Sequence, residues 1–188
     1  MLVLASQSPR RREILAAAGI EFIVRCTGGV PEEHRADESP EAYVRRLAEA
    51  KAAAINAADD EIVLGADTEV VIDGQVLGKP LDHGDAARML KLLSGREHEV
   101  ITGICLFARG GKIVDSARTR VRFVPLSDEE IENYVKSGEP MDKAGAYAIQ
   151  GLASKFVDYI DGEYFNIVGL PVALVYRHLK ALTSSVRV

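Results

Sequence analysis

Leu2-Val3-Leu4-Ala5-Ser6-Gln7-Ser8-Pro9-Arg10-Arg11-Arg12 opens this 188-residue chain and decides its fold class. The four apolar residues read as a short strand. A helical pattern follows at once, with Ile14, Leu15 and Ala18 on one face. Ser8 suits the N-cap and Pro9 the first helical position. A strand passing directly into a helix is how α/β domains begin. Three arginines at the positive end of a helix are disfavoured by the dipole. An anion lying between them and the free backbone N–H groups reverses that, and phosphate is the usual guest. Ordinary exposed arginines around a Ser-Pro helix start are the other reading.

The alternation continues outward. Residues 21–26 read as a strand and 27–38 as a polar loop containing Gly28-Gly29. Ser39-Pro40 opens a long helix to about residue 57, with an apolar stripe of Val44, Leu47, Ala48 and Ile55. Lys51, four residues beyond Leu47, falls near that stripe. The continuous apolar run 62–66 marks a strand buried on both faces. Asp73-Gly74 between Val70-Val71-Ile72 and Gln75-Val76-Leu77 signals a hairpin. A helix over 85–93 ends at Ser94-Gly95. Strands over 98–108 and 112–124 meet at Gly110-Gly111, Ser127 caps a helix over 128–136, and Gly138 closes it. Residues 139–151 have no period. A second hairpin is expected, with strands 156–160 and 164–168 around Asp161-Gly162. Pro171 opens the last helix, to about Leu182. The pattern is α/β with a mixed sheet, in one domain or one domain with two lobes.

Composition narrows the function. The net charge of −5 argues against nucleic acid as a partner, so any bound anion needs a local basic cluster. A hydrophobic fraction of 47% suits a globular core. Cys26 and Cys105 read as reduced core residues. The histidines, His34, His83, His98 and His178, lack zinc-ligand spacing. No stretch has the length of a membrane span, and the start does not read as a signal peptide. A cytoplasmic protein is expected.

Three further segments carry candidate chemistry. Gly65-Ala66-Asp67-Thr68 sets a carboxylate at the end of a buried strand, where α/β folds place ligand crevices. Asp67 can serve as general base or metal ligand; a turn-capping aspartate is the alternative. Gly78-Lys79-Pro80 holds a lysine on a stiff turn, either an anion contact or a solvated surface residue. Residues 138–151, with Asp142-Lys143 and Gln150-Gly151, form a long irregular segment of the kind that often serves function. Gly145 and Gly151 would let backbone approach a ligand, and Gln150 can read a base edge. A purely structural loop is the competitor.

Together these segments resemble the Maf family over essentially the whole length. The resemblance rests on Ser6-Gln7-Ser8-Pro9-Arg10-Arg11, Glu38-Ser39-Pro40 through Lys51, Gly65-Ala66-Asp67-Thr68, Gly78-Lys79-Pro80, Leu93-Ser94-Gly95, Thr102-Gly103 and Gly169-Leu170-Pro171. It implies an elongated mixed-sheet fold, similar to the inosine triphosphatase architecture, with two lobes and a cleft between them. The implied activity is nucleoside triphosphate pyrophosphatase. Residues 142–151 are similar to the branch acting on dTTP and UTP. A preference for 7-methyl-GTP or modified nucleotides, or a non-catalytic division-associated nucleotide binder, stand as alternatives. By the resemblance, Asp67 is the proton acceptor for the attacking water. Arg10, Thr68 and Gln150 are specificity positions. Arg11, Lys51 and Lys79 are phosphate-facing cations, and Ser8 is a substrate-binding position. Glu32 and Asp67 lie at a divalent metal, Mg²⁺ or Mn²⁺. A homodimer is the implied assembly, with no nucleic-acid or membrane partner. The chain departs from the family pattern at Val30-Pro31, just before Glu32, where an aspartate is common.

Overall fold

The apolar N-terminal run forms β1 (Leu2–Leu4), buried throughout, and Pro9 begins α1 (Pro9–Ala17). The computed structural model describes residues 1–26 and 29–184 of the chain. Thr27 and Gly28 of the expected polar loop lie outside the described residues. After α1 come β2 (Phe22–Val24), α2 (Pro40–Ala53), β3 (Ile62–Ile72), β4 (Gln75–Leu77) and α3 (His83–Leu93). The long strands β5 (Glu97–Ala108) and β6 (Gly111–Phe123) follow, then α4 (Asp128–Lys136). Three 3-10 turns, Glu139–Asp142, Ala144–Ala146 and Leu152–Phe156, lead to β7 (Val157–Asp161), α5 (Tyr164–Val168) and α6 (Val172–Ser184). The sheet order is β2-β1-β3-β5-β6-β7, with β4 paired to β3. β1 is parallel to β2 and β3, while β3–β4 and β6–β7 are antiparallel, so the sheet is mixed as expected.

Local chemistry accounts for most boundaries. Ser39 Oγ accepts from Ala42 N–H at 3.2 Å. Asp82 caps α3 through Asp85 N–H, and Ser127 with Glu130 forms a reciprocal capping box on α4. Asp73 and Gly74 both take positive φ, as a tight two-residue hairpin turn requires.

Four expectations are corrected. β3 does not end at Ala66 but runs unbroken through Asp67-Thr68-Glu69 to Ile72, as an interior strand of the sheet whose last three residues pair with β4. Residues 164–168 form no strand. β7 pairs with β6 instead, and the next segment coils into α5, whose Asn166 is buried and donates to the Val100 carbonyl at 2.9 Å. That buried anchor outweighs the strand propensity of the segment. α2 ends at Ala53, one turn short of the expected 57. Cys26 is exposed, because β2 is an edge strand that stops at Val24; Cys105 is fully buried in the core.

The chain divides into two compact units. Unit 1 comprises Met1–Asp67, Thr102–Ala117 and Gly169–Val188; unit 2 comprises Thr68–Ile101 and Arg118–Val168. In unit 1, Val3, Ala48, Ala52, Ile55, Val63 and Cys105 form a hydrophobic cluster. In unit 2, an aromatic group gathers around Phe123, with Tyr147 at 4.9 Å and His98 at 5.1 Å between ring centres, both edge-on. No described helix is long and apolar enough to cross a membrane.

Candidate active site

The unit 1 site begins with two glycines. A Cβ on Gly65 of β3 would lie 2.1 Å from the Ala48 carbonyl oxygen, and one on Gly103 of β5 would lie 2.4 Å from backbone atoms of Val44. Their bare backbones let α2 rest directly on the sheet. Ala48 and Ala52 complete the close approach, and Lys51 is carried in between them. Its Nζ reaches Asp67 Oδ1 at 2.6 Å and Glu32 Oε1 at 2.7 Å. Asp67 is 7% exposed, and its Oδ2 is buried with no hydrogen-bond partner among the described residues. One aspartate oxygen is thus anchored by a cation while the other is left with unused acceptor capacity.

Glu32 comes from the loop before α2, and α2 holds that loop. Tyr43 donates from its hydroxyl to the Glu32 carbonyl at 2.7 Å. Arg46 grips the Glu38 carboxylate through two nitrogens, at 2.6 and 2.7 Å, and donates to the Glu33 carbonyl. That guanidinium holds the Glu38 carboxyl down at about 2. The His34 ring stacks on Tyr43 at 3.6 Å. Tyr43, Arg46 and His34 had no assigned role in the sequence. Tyr43 is readable there only as part of an apolar helix face, since it lies four residues before Leu47.

Ser8 occupies the N-cap position of α1, but its side chain makes no capping hydrogen bond. Arg11 Nε donates to the Gly169 carbonyl at 2.8 Å, and Nη1 donates to Ser6 Oγ at 3.1 Å. The motifs around Ser6 and Gly169 therefore meet through one guanidinium. Burial pulls the Arg11 pKa down; the charges of Asp67 and Glu32 oppose that, and Arg10 adds to it. Arg11 remains charged in any case. Arg11, Glu32, Lys51 and Asp67 thus share one electrostatic environment, with Arg10 beside it.

The other candidates belong to unit 2. Thr68 is the residue after Asp67 in β3 and is half-buried; Lys79 and Gln150 are exposed. The Gly78-Lys79 turn and the 139–151 segment are joined, for Gly145 donates its N–H to the Gly78 carbonyl at 3.1 Å. The expectation that Gly145 and Gly151 leave room for a ligand is corrected. A Cβ on Gly145 would meet the Val70 side chain at 2.8 Å, and one on Gly151 would meet the Glu139 carboxylate at 2.3 Å. Both glycines make space for the protein's own side chains.

Residues 1–182 match the family described as Maf-like protein. The chain belongs to the Maf family. A protein of Koribacter versatilis (strain Ellin345) named dTTP/UTP pyrophosphatase is 53% identical over 180 residues, covering 95% of this chain and 93% of that protein. One of the same name from Thermococcus gammatolerans is 51% identical over 179 residues, covering 94% of each. Another, from Geobacter sulfurreducens, is 50% identical over 184 residues, covering 96% of each. Among solved structures, the Staphylococcus aureus Ham1 protein aligns with a TM-score of 0.52 at 14% identity, covering 96% of this chain and 98% of that one. That likeness speaks for the Maf chain's fold alone.

Carboxylate oxygens are the hard donors that Mg²⁺ and Mn²⁺ prefer. Glu32 and Asp67 meet at one lysine, and Asp67 Oδ2 is a buried oxygen with acceptor capacity to spare. No group of three or more His, Cys, Asp or Glu placed to hold a metal occurs among the described residues. Two carboxylates fit a cation that takes its remaining ligands from water and substrate phosphate.

Proposed function

We propose that this Maf protein hydrolyses dTTP and UTP to the nucleoside monophosphate and pyrophosphate, with Asp67 as the base for the attacking water. One observation carries the reading of the base. Asp67 Oδ2 is buried and unpartnered among the described residues, while Lys51 fixes Oδ1. A carboxylate aimed this way can take a proton from water that lies against its open oxygen. The substrate class rests on the name borne by relatives between 50% and 53% identical over nearly the whole chain.

The reaction follows from those parts. The water oxygen bonds to the α-phosphorus. The bond from that phosphorus to the oxygen bridging to the β-phosphate breaks, and pyrophosphate leaves with the electron pair. The proton of the water passes to Asp67 Oδ2. Lys51 has three N–H donors and spends two on Asp67 and Glu32, so the third can face a phosphate oxygen. Arg11, braced by Ser6 and Gly169, supplies fixed positive charge, and Lys79 a mobile point charge. The Ser8 hydroxyl, not spent on its own helix, is a further donor to phosphate. Arg10, Thr68 and Gln150 distinguish the nucleoside. Glu32 and Asp67 would hold a divalent cation, Mg²⁺ or Mn²⁺, which when bound neutralises charge on the phosphate oxygens.

The test is a panel of nucleoside triphosphates with Mg²⁺ or Mn²⁺, scored for monophosphate and pyrophosphate, run on the protein and on Asp67→Asn. Selective turnover of dTTP and UTP is expected, falling at least roughly 100-fold in the variant with the fold intact. Near-normal turnover in Asp67→Asn removes it as the base. Preference for 7-methyl-GTP or another nucleotide overturns the substrate assignment. No turnover of any triphosphate overturns the reaction.

A further inference from the structure

Gln150 projects an exposed amide from a backbone that is tied down on both sides. On one side, the Ala148 N–H donates to the Tyr134 hydroxyl at 3.1 Å. On the other, the Leu152 N–H donates to both oxygens of Glu139, at 3.0 and 3.1 Å. The two ties are one network, because the Tyr134 hydroxyl donates to Glu139 Oε1 at 2.8 Å. Between them, Gly151 presents no side chain, and the Glu139 carboxylate occupies the space its Cβ would fill.

The network is itself anchored. Tyr134 is 3% exposed, stands on the capping-boxed helix α4, and sets its ring edge-on to Phe156 at 5.4 Å. Glu139 is fixed through its backbone, its N–H donating to Ser137 Oγ at 3.2 Å and its carbonyl accepting from Lys143 Nζ at 2.8 Å. A carboxylate accepting from backbone N–H and phenol makes stronger hydrogen bonds than a neutral acceptor. Such an arrangement holds a short loop in one conformation and leaves only the side chain of Gln150 to rotate.

We propose that Glu139 and Tyr134 are positioning residues for base discrimination. They clamp residues 148–152 so that the Gln150 amide meets the base edge in one orientation. The proposal rests on the reading of Gln150 as a base-distinguishing residue and adds what makes that residue selective. An amide offers donors and an acceptor in a fixed relation, and it discriminates only where its backbone does not shift to suit the wrong base. Neither Glu139 nor Tyr134 touches substrate in this scheme. Their loss therefore flattens the ranking of bases and leaves the chemical step largely alone.

The experiment measures kcat and KM for dTTP, UTP, dCTP, dATP and dGTP on the full chain and on Gln150→Ala, Tyr134→Phe, Glu139→Ala and Glu139→Gln. Two double variants, Gln150→Ala with Tyr134→Phe and Gln150→Ala with Glu139→Ala, complete the set. Tyr134→Phe keeps the ring against Phe156 and remains informative if Glu139→Ala does not fold. The expected result is a roughly tenfold fall in the kcat/KM ratio of the best substrate to its competitors in Tyr134→Phe and Glu139→Ala, as for loss of a charge-assisted hydrogen bond. kcat on the best substrate stays within about threefold. Glu139→Gln, which keeps one acceptor oxygen, recovers most of the ratio. The double variants discriminate no worse than Gln150→Ala alone, because the clamp acts through Gln150. If Gln150→Ala flattens the ranking while Tyr134→Phe and Glu139→Ala leave it intact, the clamp is overturned and the reading of Gln150 stands. Additive losses in the doubles also overturn the clamp, for they mark a general structural effect. An unchanged ranking in Gln150→Ala, or no turnover on any member of the panel, overturns the reading of Gln150 and the clamp with it.

Discussion

Lys51 holds two carboxylates at once, Asp67 at 2.6 Å and Glu32 at 2.7 Å, with its side chain 20% exposed. Its ammonium balances a nearly buried aspartate and braces a more exposed glutamate. Removing it takes away the cation hydrogen-bonded to the buried Asp67 and leaves that charge only the electrostatic pull of neighbours such as Arg11, which is the costly way to break an ion pair. Partial solvent access tempers the penalty. Lys51→Met is expected to lower the unfolding free energy by about 1–3 kcal/mol, read from the urea midpoint. On the proposed roles of Asp67 as base and Lys51 as a phosphate contact, turnover is expected to fall at least roughly 100-fold. Full activity at reduced stability would leave Lys51 only a structural partner of Asp67. In the sequence, the position of Lys51 beside an apolar stripe and of Asp67 after an apolar run were both visible. Their meeting was not, because it depends on two glycines from separate strands lying under one helix.

At the scale of elements, α2 on β3 and β5 is the contact that builds the site. Gly65 and Gly103 face helix backbone, which cannot rotate aside as a side chain would. Gly65→Ala would force a methyl group to within 2.1 Å of the Ala48 carbonyl oxygen unless the helix moves. The expected cost is about 3 kcal/mol of stability, with a matching shift of Lys51 away from Asp67. Gly110→Ala is the control: a Cβ there meets nothing within 4 Å, and stability should change by less than about 1 kcal/mol. Urea midpoints and kcat of the two variants check this, and equal effects would remove the glycines as the reason for the close approach. The starts of α2 and α4 were legible because Ser39 and Ser127 read as caps, whereas the Asp82 cap of α3 was not read and its start at His83 was placed late, at residue 85. The segment 164–168 was misread because Tyr-Phe-Asn-Ile-Val has strand-like composition. Its helical form is set by Asn166 reaching Val100 and Thr119, residues far away in sequence. The continuation of β3 through Asp67-Thr68-Glu69 was hidden for a similar reason, since β3 is an interior strand of the sheet, between β1 and β5, whose neighbours lie far away in sequence.

On the scale of the whole molecule, the expected two-part organisation is present as two compact units, but their boundaries were not readable. Chain contiguity hides them: β3, β5 and β6 are each divided in mid-strand, with no linker or change of composition at the cut. Stability against acid is a property of the whole fold, and one buried residue dominates its upper range. His98 is 2% exposed, its Nε2 lies 2.9 Å from the Tyr147 hydroxyl, and its Nδ1 has no partner among the described residues. Burial pushes its pKa down from 6.5 to about 4. Between those values the unfolded chain binds a proton that the folded chain refuses, so stability falls as pH falls. The contribution is fully present above pH 6.5, is lost progressively below it, and is gone by about pH 4, for a total of about 3 kcal/mol. The hydrogen-bonded carboxylates act in a lower window. Glu38 and Glu61 titrate near 2 in the fold against 4.5 otherwise, so their stabilisation is present above pH 4.5 and lost as pH falls toward 2. His98→Gln keeps a hydrogen-bonding group opposite Tyr147 and removes the titration. Urea midpoints at pH 7, 5.5 and 4.5 should decline steadily in the native protein and stay nearly level in the variant. Parallel decline in both would assign the loss to other groups. A flat profile in the native protein would mean that water reaches His98 and that the imidazole titrates in the fold as it does in the unfolded chain.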